Sequence, residues 1–185
     1  YPVLEAPLLA GSADFNGDGK PDFFALNGRA SLSLLISRSD LTYERRDLTL
    51  SHPARQGIAA DLNGDGKADL ALLDAGAGTI SVLHGDGAGG FDSGVELKVS
   101  GQPMRIAAAD LNGDGRLDLV TVDNNPGGAS IFYGSESGFR AEVVLPAGGN
   151  PHPTSLSLAD PNQDGRLDLL LPDHWSGRLL TLLSR

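Results

Sequence analysis

Asp61-Leu-Asn-Gly-Asp-Gly-Lys-Ala-Asp69 places oxygen-bearing side chains at alternate positions of a glycine-containing turn. The same nine-residue pattern occurs as Asp14-Phe-Asn-Gly-Asp-Gly-Lys-Pro-Asp22, as Asp110-Leu-Asn-Gly-Asp-Gly-Arg-Leu-Asp118 and as Asp160-Pro-Asn-Gln-Asp-Gly-Arg-Leu-Asp168. The four starts are 47, 49 and 50 residues apart (61−14, 110−61, 160−110). A period of about 40–50 residues is the length of one four-stranded propeller blade.

The sequence between the turns reads as strands. A run of small residues precedes each turn, as in Gly57-Ile-Ala-Ala60 and Ile106-Ala-Ala-Ala109, and an apolar run follows it, as in Leu70-Ala-Leu-Leu73 and Leu119-Val-Thr-Val122. A Gly-rich turn then leads to an alternating strand, Thr79–Leu83 or Ala129–Tyr133. The Gly-Phe turns at Gly90-Phe91 and Gly138-Phe139 open a fourth, more polar strand. Short β-rich runs bounded by turn residues, with no helical period, predict an all-β chain. The reading is a β-propeller of four four-stranded blades within a single domain, residues 1–185, with repeats at about 9–56, 57–104, 105–154 and 155–185 plus 1–8. The fourth repeat stops after its third strand, so the N-terminal segment Tyr1–Glu5 is expected to close the last blade and cover its edge.

The turns carry the chemistry. Positions 1, 3, 5 and 9 are Asp14, Asn16, Asp18 and Asp22; Asp61, Asn63, Asp65 and Asp69; Asp110, Asn112, Asp114 and Asp118; Asp160, Asn162, Asp164 and Asp168. Position 7 is Lys20, Lys67, Arg116 or Arg166, which would offer a backbone carbonyl while its side chain points to water. Oxygen donors spaced this way around a tight turn suit Ca²⁺, and the Gly at position 6 permits the turn. A helical calcium loop needs Glu at position 12, where this chain has Ala25, Leu72, Thr121 and Leu171. The last donor is therefore the Asp at position 9, and the turn joins strands. Up to four Ca²⁺, one per repeat, are predicted, in a mainly structural role. Loop four, with Pro161 and Gln163, is expected to bind most weakly.

The charge balance agrees. The loops hold 12 Asp (3 × 4), half of the 24 acidic residues, leaving 12 acids against 14 Lys and Arg. Four Ca²⁺ would move the formal charge from −10 to −2. An excess of acid argues against nucleic acid, whose phosphates need clustered Lys and Arg. The absence of cysteine removes disulfides and thiolate metal sites. No apolar stretch approaches the roughly 20 residues of a membrane-spanning helix, so membrane insertion is not expected. A chain that starts at Tyr1 fits a processed secreted protein or a trimmed one.

These loops, the Leu or Phe that follows them and the Gly-Phe turns resemble the FG-GAP/VCBS repeat family, which includes the propeller of integrin α-chains and several calcium-dependent lectins. Repeat one departs from the pattern, with Leu41-Thr-Tyr43 at the Gly-Phe turn. The resemblance implies calcium at the loops, extracellular or cell-surface residence, and recognition of a glycan or a cell-surface protein. Family propellers typically have about seven blades. Four repeats therefore leave two assemblies open: a four-bladed monomeric ring, or half of an eight-bladed ring completed head-to-tail by a second copy.

A ligand is expected on the face opposite the calcium loops, which would collect His52, Arg55, Met104, Arg105, Asn150, His152 and the turns carrying Asp74, Asp123 and Asp173. The single Trp lies there, in Asp173-His-Trp-Ser-Gly177. Trp175, with Asp173, His174 and Arg178, could stack on a sugar and bond its hydroxyls; the alternative is that Trp175 covers the side of the last blade. His84 ends a third strand and is assigned no role. The leading function is a secreted, lectin-like recognition module, against a structural or adhesive protein-binding repeat. No nucleophile elbow, phosphate loop or His-Glu-x-x-His motif is present, so no catalytic residue is assigned, although some propellers are lyases or hydrolases.

Overall fold

The computed structural model describes residues 2–3, 6–125, 127–147 and 153–182. All regular structure among them is β, in antiparallel sheets. The chain forms two compact units, Tyr1–Leu97 and Lys98–Arg185.

The first unit holds two four-stranded sheets. One is β1 (Pro7–Ala13), β2 (Asp22–Asn27), β3 (Ser31–Ser37) and β4 (Tyr43–Thr49). The other is β5 (Gln56–Ala60), β6 (Asp69–Asp74), β7 (Thr79–Leu83) and β8 (Val95–Lys98), which reaches the unit boundary. In both, strands follow in chain order, each paired with the next. The second unit begins with β9 (Pro103–Ala109), β10 (Asp118–Asn124), β11 (Gly127–Phe132) and β14 (Val143–Pro146), with a small hairpin of β12 (Gly134–Ser135) and β13 (Gly138–Phe139) between the last two. It ends with the three strands β15 (Ser157–Ala159), β16 (Asp168–Asp173) and β17 (Arg178–Leu182).

Burial follows the position of each strand in its sheet. Every residue of β6 is buried, as is all of β10 but its last residue, because sheets packed face to face cover both sides of a central strand. Their sequences accordingly run apolar instead of alternating. The outer strands β4, β8 and β14 are largely exposed. In the first unit, Phe24, Leu26, Leu32, Leu34 and Ile36 of one sheet pack with Leu70 and Leu72 of the next. In the second, Val120, Val122, Ala129 and Ile131 pack with Leu169 and Leu171.

The small residues of the first strands are explained by close approach. A Cβ on Gly11 would lie 2.3 Å from Phe24 Cε1, and one on Gly57 would lie 2.9 Å from Leu72 Cδ2. Anything larger than Gly would displace a core side chain there.

At the turn of repeat one, Arg38 N–H donates to Thr42 O at 2.8 Å and Leu41 takes φ 64°, the backbone conformation that glycine usually supplies. Of the expected closing strand, Tyr1, Leu4 and Glu5 lie outside the described residues. Pro2 and Val3 belong to no strand, and the Pro2 carbonyl accepts a hydrogen bond from Arg45 of β4 at 3.3 Å.

Candidate metal loops and a polar turn

Each Asp-rich turn links a first strand to a second, and its backbone is wound around the Asp at position 1. Asp14 Oδ1 accepts from Gly17 N–H at 2.7 Å and Asp18 N–H at 3.2 Å, and its Oδ2 accepts from Gly19 N–H at 2.8 Å. Asp61 and Asp110 repeat this with Gly64, Asp65 and Gly66 and with Gly113, Asp114 and Gly115. Asp160 accepts from Asp164 and Gly165. The Asn at position 3 accepts from the N–H of position 5, which in turn accepts from the N–H of position 7, at 2.8–3.0 Å in all four loops.

The winding needs positive φ at position 4 as well as at position 6. Gly17, Gly64 and Gly113 supply it at φ 75°, 80° and 75°, and Gln163 is held at φ 59° in loop four. Sequence reading had found a conformational reason only for position 6.

The Asp at position 9 has a different task. Asp22, Asp69, Asp118 and Asp168 are all fully buried at the start of the second strand. One oxygen of Asp22, Asp69 and Asp118 accepts the N–H of position 2, from Phe15 at 2.8 Å, Leu62 at 2.9 Å and Leu111 at 2.9 Å. The other accepts an N–H just beyond or at the end of the third strand, from Ser37 at 2.6 Å, Gly85 at 2.8 Å and Gly134 at 2.8 Å. One carboxylate thus ties the loop to two other parts of the sheet. Pro161 has no N–H, so loop four lacks the position 2 bond to Asp168. The third-strand partners gave no sequence signal, since a backbone N–H is available from almost any residue.

Position 2 is also an anchor. Phe15 is buried and meets Phe24 and Phe91 edge-on, with ring centroids 6.3 and 5.6 Å apart. The position 7 side chains do not simply reach into water: Lys20 and Lys67 fold back to Asp18 and Asp65 at 3.8 and 3.9 Å, and Arg116 reaches Glu136 at 3.5 Å. Arg166 is exposed.

The electrostatics are strained toward a cation. Burial pushes the Asp69 and Asp118 carboxyls above their ordinary value despite the two N–H donors each receives. Asp65 pushes Asp69 the same way, and Asp114 and Asp110 push Asp118. At Asp110 burial also acts upward, but the N–H groups of Gly115, Gly113 and Asp114 outweigh it and hold the carboxyl below the usual range. The donors are hard oxygens throughout, which fits Ca²⁺ and no soft metal. Among the described residues no three Asp, Glu or His side chains form a metal cluster by themselves. An ion here would therefore draw on the Asn amide and the position 7 carbonyl beside the carboxylates.

The polar residues expected to face a ligand lie at or beyond the far ends of the second strands in part only. Asp74, Asp123 and Asp173 are buried. Asp173 Oδ1 accepts from Trp175 N–H at 3.1 Å, its carbonyl accepts from Gly177 N–H at 3.0 Å, and it pairs in register with Arg178 across β16 and β17. It caps a turn through that Oδ1. That turn presents His174 and Trp175 outward, with Trp175 69% exposed. Asn150 and His152 lie outside the described residues. His52 Nε2 stands 3.4 Å from Glu96, and His84 Nδ1 lies 3.0 Å from Asp92 Oδ2. Met104 and Arg105 are within β9, not in a connecting loop.

Comparison with curated proteins finds no match. Among solved structures, the BBS1N chain from its complex with ARL6DN superposes with a TM-score of 0.66 at 11% identity, covering 97% of this chain and 47% of that one. An Agrocybe aegerita lectin, described as recognising non-reducing terminal N-acetylglucosamine, gives 0.61 at 18% identity over 91% of this chain and 48% of its own. The Vibrio cholerae biofilm matrix protein Bap1 gives 0.53 at 24% identity over 96% of this chain and 30% of its own. The chain thus spans about half the length of the first two or less, and at these identities the likeness is one of fold, the β-propeller. Sequence resemblance is more specific. The FG-GAP-like repeat matches residues 14–72, 61–121 and 110–171, each match opening on position 1 of one Asp loop and running into the second strand of the next repeat. This chain belongs to the FG-GAP-like repeat family.

Proposed function

We propose that the chain is a calcium-loaded recognition module of the extracellular space, with carbohydrate as its ligand class and calcium in a structural role. The observation that carries the calcium reading is the set of four buried position 9 carboxylates, two of which, Asp69 and Asp118, are opposed by further carboxylates in their own loops. Carboxylates so placed are costly without a compensating cation. The ion would supply that charge; the chain supplies Asp, Asn and carbonyl oxygens already wound into the turn. Because position 9 also holds the third strand, ion binding and sheet stability are one process.

Carbohydrate is supported by the outward Trp175 beside His174, a flat apolar surface next to a hydrogen-bonding group. The Agrocybe lectin adds a precedent for sugar binding on this fold. Extracellular calcium modules work at about 10⁻⁴–10⁻³ M affinity, which matches this setting. The test is a glycan array of the purified protein in calcium and in chelator, with calorimetric calcium titration of the same sample. Calcium-dependent binding to a defined sugar, lost in Trp175→Ala, is expected. A blank array on calcium-loaded, folded protein would overturn the carbohydrate reading, and absence of calcium uptake would overturn the metal reading.

A further inference from the structure

The first unit contains a cavity of about 140 Å³ that neither the calcium loops nor the Trp175 turn uses. Its walls include Leu48 and Leu50 from the end of β4 and its exit, with Leu72 and Leu83 from β6 and β7. The charged residues lining it are Asp74, Asp92 and Glu96, with His52; neither Lys nor Arg is among them.

Asp74 is the informative member. It is 8% exposed, and its Oδ1 accepts from Gly76 and Ala77 N–H at 2.7 and 3.1 Å. Among the described residues nothing bonds its Oδ2. The equivalent positions in two other sheets bond side chains of their own sheet. In the first sheet Asn27 Nδ2 donates to Ser33 Oγ at 3.2 Å, and Ser33 donates to Asp47 at 2.6 Å. In the third, Ser130 and Thr121 both donate to Asp123. In the second sheet Ser81 occupies the place of Ser33 and Ser130, yet Asp74 and Ser81 line the cavity instead of bonding each other. The other two acids are engaged: Asp92 accepts from His84 and Gly94 N–H, and Glu96 faces His52.

Asp74 thus borders a space lined both by aliphatic side chains and by the hydroxyls of Thr49, Ser51, Ser81 and Ser93, with no Lys or Arg to balance its charge. With Asp92 and Glu96 already engaged, a Ca²⁺ ion, which requires six to eight oxygens, would find one carboxylate and neutral hydroxyls. The aliphatic part of the lining suits the stem of an alkylammonium, whose head brings three N–H donors to the carboxylate and hydroxyl. We infer that this cavity binds a primary ammonium group on a short aliphatic stem, either a small free amine or a lysine side chain offered by a partner. The inference is independent of the calcium and carbohydrate readings.

The test uses the full chain, saturated with calcium, and amide chemical shifts. n-Butylammonium chloride should produce saturable shifts confined to residues 48–54, 72–77, 81 and 92–96, while 1-butanol at equal concentration should not. Asp74→Asn preserves the Oδ1 acceptor, and the first repeat carries Asn27 at this place, so the variant is expected to fold. Its affinity for butylammonium should fall about tenfold, the effect of losing one charge-assisted hydrogen bond. Nα-acetyl-lysine methylamide separates the two sources: binding supports a presented lysine, and binding of butylammonium alone supports a small amine. Equal binding of butanol, absence of saturable shifts, or an undiminished affinity in Asp74→Asn would each overturn the inference.

Discussion

Replacing Asp118 by alanine separates what the position 9 carboxylate does for the sheet from what it does for an ion. The wild-type side chain accepts from Leu111 N–H at 2.9 Å and Gly134 N–H at 2.8 Å while fully buried. Two buried donors left without an acceptor cost about 1–3 kcal/mol each, partly offset by removing a buried charge, so the net loss is about 2–4 kcal/mol. For a chain of 185 residues that lowers the melting temperature by about 5–15 °C.

The pH dependence gives the sharper signature. Burial, with Asp114 and Asp110 adding to it, holds the folded carboxyl above its unfolded value. The fold therefore favours its protonated form. In chelator this contribution is fully present below the unfolded value of about 3.9 and is lost as pH rises through the folded one. The stability gap between wild type and Asp118→Ala should then narrow with rising pH in chelator. On calcium loading the ion competes with protons for the carboxylate, so the gap should widen with rising pH instead. Calorimetric melts of both proteins across that range, with and without chelator, measure the two slopes. Slopes of the same sign in both conditions would refute the calcium role, and an unchanged melting temperature in the variant would refute the clamp.

Other substitutions test the backbone and packing claims. Gly11→Ala would drive a Cβ to within 2.3 Å of the buried Phe24 ring and should cost about 1–3 kcal/mol, seen as a lower urea midpoint at unchanged slope. Gln163→Gly should stabilise the chain by about 1 kcal/mol in thermal melts, by relieving a non-glycine residue held at φ 59°, and, on the calcium proposal, should tighten calcium uptake by loop four in a titration. Leu41→Gly should stabilise by a similar amount, about 1 kcal/mol in the same melts, because Leu41 sits at φ 64° while 82% exposed and so has little burial to lose.

The repeat length, the strand succession and the Asp-rich turns were legible because each is carried by residue type. Alternate oxygens in Asp61–Asp69, apolar runs such as Leu70–Leu73 and small residues such as Gly57 restrict what they can form. What stayed hidden is carried by backbone groups or by burial. The acceptance of Ser37, Gly85 and Gly134 N–H by the position 9 Asp leaves no mark on those three residues. Asp173 reads as a ligand residue because its neighbours are His and Trp; the structure adds a bond the sequence does not show, from Trp175 N–H to its Oδ1 within the turn. An acid at a turn reads alike in sequence whether it faces a ligand or its own backbone; only the accounting of nearby N–H groups distinguishes the two.

The second strand of each repeat shows how one scaffold supports both constancy and difference. Asp22–Asn27, Asp69–Asp74, Asp118–Asn124 and Asp168–Asp173 all begin with a fully buried Asp, continue through a largely apolar middle and carry a buried polar residue at or next to their far end. At the near end the described bonds of the first three repeats are the same, because the carboxylate must hold a loop and a third strand that every repeat possesses. At the far end the partners diverge: Asn27 joins Ser33, Asp74 borders a cavity, Asp123 takes Thr121 and Ser130, and Asp173 caps the Trp175 turn. A buried polar group must find a partner, but the fold fixes that partner only at the near end. Variation there would unfasten the sheet, whereas variation at the far end changes only which turn, cavity or aromatic is presented. On the proposed function, recognition is therefore expected to differ from repeat to repeat at the far ends, while calcium removal is expected to weaken the repeats through the near ends.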